Sequence, residues 1–192
     1  MYNETITNLL ADLGIDAAHE SIALQHFSAL DSRAVKDLKL NVSGVLGSNN
    51  YNRKETALLA LSVAANEKHD VLIRAFEQLA VKEGATQAEI AEVHACVSVM
   101  NANNVFYRFR HYMHGNEYYN NSPAGLRMSV MMNPVIGKEL FEMVSLVISA
   151  VNGCERCVTS HEESVKQHGA SEQRIYDGIR LGAVIKSLCV VI

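Results

Sequence analysis

Cys154 and Cys157 stand in the run Asn152-Gly153-Cys154-Glu155-Arg156-Cys157-Val158-Thr159-Ser160-His161, with His161 four positions after the second thiol. Two thiols that can close a disulfide, beside a base, make a redox or peroxide-handling centre. Asn152 and Gly153 read as the break between two helices. Cys154 then falls at a helix N-terminus and Cys157 one turn in, where free N–H groups and the positive end of the dipole favour a thiolate. His161 lies on the face shared by both cysteines. Glu142 belongs to the preceding helix. In an antiparallel hairpin hinged at Asn152-Gly153, Glu142 lies roughly 13 Å and His161 roughly 12 Å from the hinge, at about 1.5 Å per residue. The two side chains can therefore meet. The expected relay has Glu142 orienting and charging His161, which takes a proton from Cys157 directly or through water.

Other uses of a Cys-x-x-Cys pair fit less well. A zinc site built from Cys154, Cys157, His161 and His168 would put all four ligands on one helix, with His168 too far along to close a tetrahedron. A thioredoxin fold needs a βαβ pattern around the motif, and none is visible. His161-Glu162 lacks the second histidine four residues on that a zinc protease requires. A c-type haem site needs histidine directly after the second cysteine, where Val158 stands.

The elements that must carry this chemistry read as helices almost throughout. They cover Glu4 to Leu13, Ala17 to Leu30, Ser32 to Leu40, Arg53 to Ala65, Asp70 to Lys82 and Thr86 to Met100. After them come Gly137 to Val151, Cys154 to His168 and Glu172 to Val191. Asn41 to Asn52 and Gly115 to Pro123 read as loops. Thr86 and Glu89 form a capping box, and Gly84 sits where a helix-terminating glycine belongs. The expected fold class is all-α, one domain over residues 1–192. Its core reads as an internal duplication, with repeat-like halves at about 53–100 and 140–187. Both halves run apolar helix, short break, amphipathic helix, Gly-Ala-Thr or Gly-Ala-Ser, third helix. Ala57 to Ala65 aligns with Val144 to Ala150 with a gap of about two residues. His69 and Leu72 of the first half stand where the second has Cys154 and Cys157, so the dithiol belongs to the second half alone.

The 192 residues suffice for one domain with a substantial core. Two prolines, no tryptophan and many helix formers suit the helical reading. A net charge of −4 argues against a nucleic-acid partner. The first residues are acidic, without the basic region of a signal peptide, and the apolar stretches are far short of a membrane span. A cytoplasmic protein is expected, where a close thiol pair is catalytic or metal-binding rather than a secreted framework. Cys96 and Cys189 read as buried structural thiols. His94, His111 and His114 read as surface or capping residues, His168 as a last-turn cation, and Glu162 and Glu163 as a solvated face. Tyr118, Tyr119 and Arg127 are candidates for an interface, a substrate entrance or a cover over the core.

Glu142 followed by Cys154-x-x-Cys157-x-x-x-His161, on a duplicated helical chain, resembles the alkyl hydroperoxidase D (AhpD) family of the carboxymuconolactone decarboxylase-like superfamily. The resemblance extends through Asn103-Asn104-Val105-Phe106-Tyr107-Arg108, Pro123-Ala124-Gly125-Leu126-Arg127-Met128 and Phe141-Glu142 to Ser160-His161-Glu162. It implies that Cys157 attacks the peroxide and becomes a sulfenic acid. Cys154 would be the resolving partner and proton donor, the pair would close to a disulfide, and Glu142 and His161 would relay protons. It implies an antioxidant alkyl hydroperoxide reductase acting on organic hydroperoxides. It also implies a dithiol adaptor that reduces an alkyl hydroperoxide reductase peroxiredoxin and draws electrons from a lipoylated dehydrogenase subunit. The redox-active disulfide takes the place of a cofactor or metal, and the expected assembly is a homotrimer or larger homo-oligomer. Family members often have histidine just before the second cysteine. Arg156 stands there instead, a fixed cation that favours a thiolate but cannot shuttle protons. A dithiol adaptor or redox sensor with little peroxide activity, and a zinc-binding structural module, are the alternatives.

Overall fold

Ten α-helices follow one another in the computed structural model, which describes residues 2–192, so Met1 lies outside it. They are α1 (Glu4–Asp12), α2 (Ile22–Ala29), α3 (Arg33–Leu46), α4 (Arg53–Asn66), α5 (Asp70–Lys82), α6 (Gln87–Tyr112), α7 (Glu117–Asn121), α8 (Lys138–Val151), α9 (Glu155–Gln167) and α10 (Glu172–Val191). Among the described residues there is no strand, and the fold is all-α.

The two central helices explain the arrangement. Thr56 to Ala64 of α4 and Leu140 to Ser149 of α8 are buried on every side. A helix apolar all round must be surrounded by others. Accordingly α4 packs on α5, α6, α8 and α10, while α8 packs on α9, α6, α10 and α4. α3 covers α10, and α1 covers α3. The contact with α10 is close because Gly178 and Gly182 have no side chains. A Cβ on Gly178 would meet the Tyr51 hydroxyl at 2.5 Å and Met143 Sδ at 2.9 Å, and one on Gly182 would meet Val147 Cγ1 at 2.6 Å. Gly182→Ala should therefore cost about 1–3 kcal/mol despite its better helix propensity. Urea unfolding midpoints compared with wild type would measure it.

The hairpins α4–α5 and α8–α9 have matching geometry. Each counterpart begins 85 residues after its partner: Arg53 and Lys138, Asp70 and Glu155, Gln87 and Glu172. His69 (φ −96°, ψ 90°) and Cys154 (φ −99°, ψ 91°) occupy the same N-cap conformation. The constant spacing removes the two-residue gap expected between the apolar helices. It sets Ala57 against Glu142 and Phe76 against His161, so the first hairpin is filled with apolar groups where the second is polar.

Three boundaries differ from the sequence reading. α3 continues to Leu46 through the first half of the expected loop 41–52, because Val42 and Val45 extend the buried face begun by Val35. α2 starts at Ile22 rather than Ala17, because the Ser21 side chain accepts from the Leu24 amide and caps it there. α6 runs past Met100 to Tyr112. Beyond the expected end, Asn101 donates to Asn66 of α4 and Asn104 to Ser149 of α8. The loop 115–123 also contains α7, capped by Asn116.

Candidate active site

The turn 152–154 is held from three sides. Arg108 donates to the Asn152 carbonyl at 2.6 Å. The Asn152 amide nitrogen donates to Asn104 Oδ1 at 2.9 Å, and its Oδ1 accepts from Asn66 at 3.0 Å. Asn104 in turn donates to Ser149 at 3.0 Å. These bonds tie the end of α8 to α6 and α4. Amides at least partly buried that satisfy one another in this way fix a single geometry. Gly153 takes φ 68°, the left-handed conformation glycine adopts most readily, and lets the chain reverse into α9.

Cys154 caps α9 and Cys157 occupies its first turn, with Cα atoms 5.3 Å apart and the sulfurs joined as a disulfide. Cys154 is fully buried, whereas Cys157 is 6% exposed and lines a cavity of about 300 Å³. Asn103, Tyr107, Met128, Met131, Arg156 and Ser160 line the same cavity, as does His161. External chemistry therefore reaches the Cys157 sulfur first. No side chain caps the first amides of α9, in contrast to α5, where His69 accepts from the Leu72 amide. The free amides leave positive potential beside the thiols.

His161 Nδ1 lies 2.7 Å from Glu142 Oε2. The structure thus brings Glu142, Cys154, Cys157 and His161 to one corner of α8 and α9. The other Glu142 oxygen lies 3.1 Å from Lys138 Nζ. Burial alone would push the Glu142 carboxyl upward, but the hydrogen bonds from His161 and Lys138 outweigh it and hold the group down at about 2. An ionised Glu142 accepts a proton-bearing Nδ1 from His161 and leaves Nε2 as the ring's free nitrogen.

The depressed Glu142 value carries a stability consequence. Its folded value lies below the ordinary 4.5. Its contribution is therefore present above about 4.5 and is lost as pH falls toward about 2. Wild type should lose more unfolding free energy than Glu142→Gln between pH 5 and pH 3, a difference read from urea titrations at the two pH values.

The carboxymuconolactone decarboxylase family profile matches residues 119–189. The chain is 37% identical over 171 residues to the alkyl hydroperoxide reductase AhpD of Rhizorhabdus wittichii, covering 88% of this chain and 97% of that protein. Against the AhpD of Anaeromyxobacter dehalogenans it is 38% identical over 155 residues, covering 81% and 82%. This chain belongs to the AhpD family. A crystal structure of a candidate gamma-carboxymuconolactone decarboxylase subunit from Burkholderia xenovorans shares the fold. Its TM-score is 0.69 at 12% identity, covering 99% of this chain and 96% of that one.

Several residues around this AhpD-family dithiol were not singled out from the sequence. Lys138 was visible only as a lysine four positions before Glu142, a spacing that places both on one helix face. Tyr107, Met128 and Met131 form cavity wall, and the Arg156 guanidinium lies 5.7 Å from the Tyr107 ring centre. Tyr119 packs on Phe109 and Tyr118 on Tyr119 instead, and neither is among the residues lining this cavity. Cys96 is buried as expected, but Cys189 is only half-buried. His111 has a partner, Glu155, at 3.5 Å. The His168 ring turns back to the Ser164 carbonyl at 2.7 Å. Among the described residues, no three His, Cys, Asp or Glu side chains gather as a metal site, and no helix is long and apolar enough to cross a membrane.

Proposed function

We propose that this AhpD-family protein is an antioxidant alkyl hydroperoxide reductase whose redox group is the Cys154–Cys157 dithiol. The observation that carries this reading is the partly accessible Cys157, on a cavity shared with a histidine held by an ionised, buried glutamate. In the reduced protein, His161 accepts the Cys157 proton. The thiolate attacks a hydroperoxide oxygen, forming an S–O bond as the O–O bond breaks. The departing alkoxide takes the proton from His161 and leaves as an alcohol. Cys154 then attacks the Cys157 sulfenic acid and expels water, giving the disulfide.

A dithiol donor must attack that disulfide, and Cys157 is the sulfur it can reach. A lipoylated dehydrogenase subunit is the proposed donor, since a lipoyl dithiol is small enough to enter the cavity of about 300 Å³ beside Cys157. An alkyl hydroperoxide reductase peroxiredoxin is the proposed electron acceptor besides organic hydroperoxides. The chain is further read as one domain with a duplicated helical core, supported by the constant 85-residue spacing. A homotrimer or larger homo-oligomer is the proposed assembly, and the exposed Val105, Phe109, Tyr112 and Tyr118 are surface such an assembly could cover.

The test is steady-state consumption of cumene hydroperoxide with dihydrolipoamide as electron donor. One dithiol oxidised per hydroperoxide, at a rate proportional to protein, is the expected result. Consumption no faster than with dihydrolipoamide alone would remove the peroxidase reading. Failure to reduce an oxidised peroxiredoxin under the same conditions would remove the adaptor role.

A further inference from the structure

Lys138 opens α8 at the end of a strap, residues 122–137, that crosses the dithiol cavity and contributes Met128 and Met131 to its wall. Its Nζ donates to the Met131 carbonyl at 2.7 Å and lies 3.1 Å from Glu142 Oε1. The second Glu142 oxygen holds His161 at 2.7 Å. One ammonium thus joins the cavity wall to the carboxylate that orients the histidine. Other ties of the strap do not touch this pair: Asn103 donates to Met128 Sδ at 2.9 Å. Arg110 donates to the Ser122 carbonyl, and the buried Glu92 accepts from the amides of Val135 and Ile136, each at 2.8 Å.

We propose that Lys138 is a positioning residue that couples the strap to the Glu142–His161 pair, so that the cavity closes and the histidine is oriented together. The inference rests on the peroxidase reading for what the cavity holds, but its geometry does not. The charged groups acting on Glu142 are His161 from α9 and Lys138 from its own helix. The thiol facing it from α6 is Cys96, which burial pushes up to about 12 and so keeps neutral. Removing the ammonium leaves one Glu142 oxygen buried without its cation and frees the Met131 carbonyl. Both losses weaken the positive potential beside Cys157.

The experiment compares wild type with Lys138→Met, Lys138→Arg and Glu92→Gln, each fully reduced. Two readouts are needed: the pH dependence of Cys157 alkylation by iodoacetamide, followed by mass, and hydrogen exchange of the strap amides. In Lys138→Met the alkylation midpoint should rise by about one unit, and strap exchange should quicken by about tenfold. Lys138→Arg should restore both. Glu92→Gln should loosen the strap but leave the midpoint in place. Wild-type midpoint and exchange in Lys138→Met, with only a lower melting temperature, would overturn the proposal. If wild type reduced no hydroperoxide while Lys138→Met still moved both readouts, the peroxidase reading would fall and the coupling would stand.

Discussion

Cys157→Ser is expected to lower hydroperoxide turnover at least about a thousandfold while the protein still folds. A serine hydroxyl stays protonated where a thiol ionises, and oxygen is a far poorer nucleophile toward a peroxide than sulfur. A loss of that size corresponds to about 4 kcal/mol of transition-state stabilisation. The side chain is nearly the same size and lines a cavity, so its packing cost is small. Cys154→Ser should behave differently. Its first hydroperoxide is reduced at a rate close to wild type, but the Cys157 sulfenic acid then accumulates because nothing adjacent condenses with it. Single-turnover rates and intact mass, measured on both variants, separate these outcomes. Near wild-type steady-state turnover in Cys157→Ser would remove the mechanism.

Glu142→Gln is expected to reduce turnover about 10- to 100-fold, the usual cost of losing a group that orients a functional histidine. The amide can still meet His161, but it is neutral where the carboxylate is charged. It also leaves Lys138 without its carboxylate. Because Glu142 is nearly fully buried, the variant should also be about 1–3 kcal/mol less stable at neutral pH. His161→Phe should slow the reaction by about a hundredfold, since the proton acceptor itself is gone. In both variants the rate should recover partly as pH rises and Cys157 ionises without help. A flat ratio to wild type between pH 6 and pH 9 would contradict the assigned roles.

The dithiol, its helix terminus and its glutamate and histidine partners were legible because they depend on spacing. Helix rise and the Asn152-Gly153 break suffice to bring Glu142 to His161. The central helices were equally legible, since α4 and α8 are apolar on all faces. What stayed hidden depends on tertiary context. Asn101, Asn103 and Asn104 look like helix breakers, yet α6 continues because other helices supply partners for two of their side chains: Asn101 donates to Asn66 and Asn104 to Ser149. Val42 and Val45 lie in a glycine- and asparagine-rich stretch whose helical face shows only once α10 is there to cover it. The role of Lys138 depends on where the strap comes to rest, and no periodicity encodes that. The strap supplies the methionine wall of the cavity, with Asn103 donating to Met128 Sδ at 2.9 Å. Nothing in its sequence announces that contact.

The most direct test is a stopped-flow reaction of fully reduced protein with one equivalent of an organic hydroperoxide, with thiols counted and peptides mapped by mass afterwards. The account predicts loss of two thiols per chain, a Cys154–Cys157 disulfide, free Cys96 and Cys189, and no comparable reaction in Cys157→Ser. Retention of both thiols after the hydroperoxide is added, or equal consumption by the Cys157→Ser protein, would contradict it.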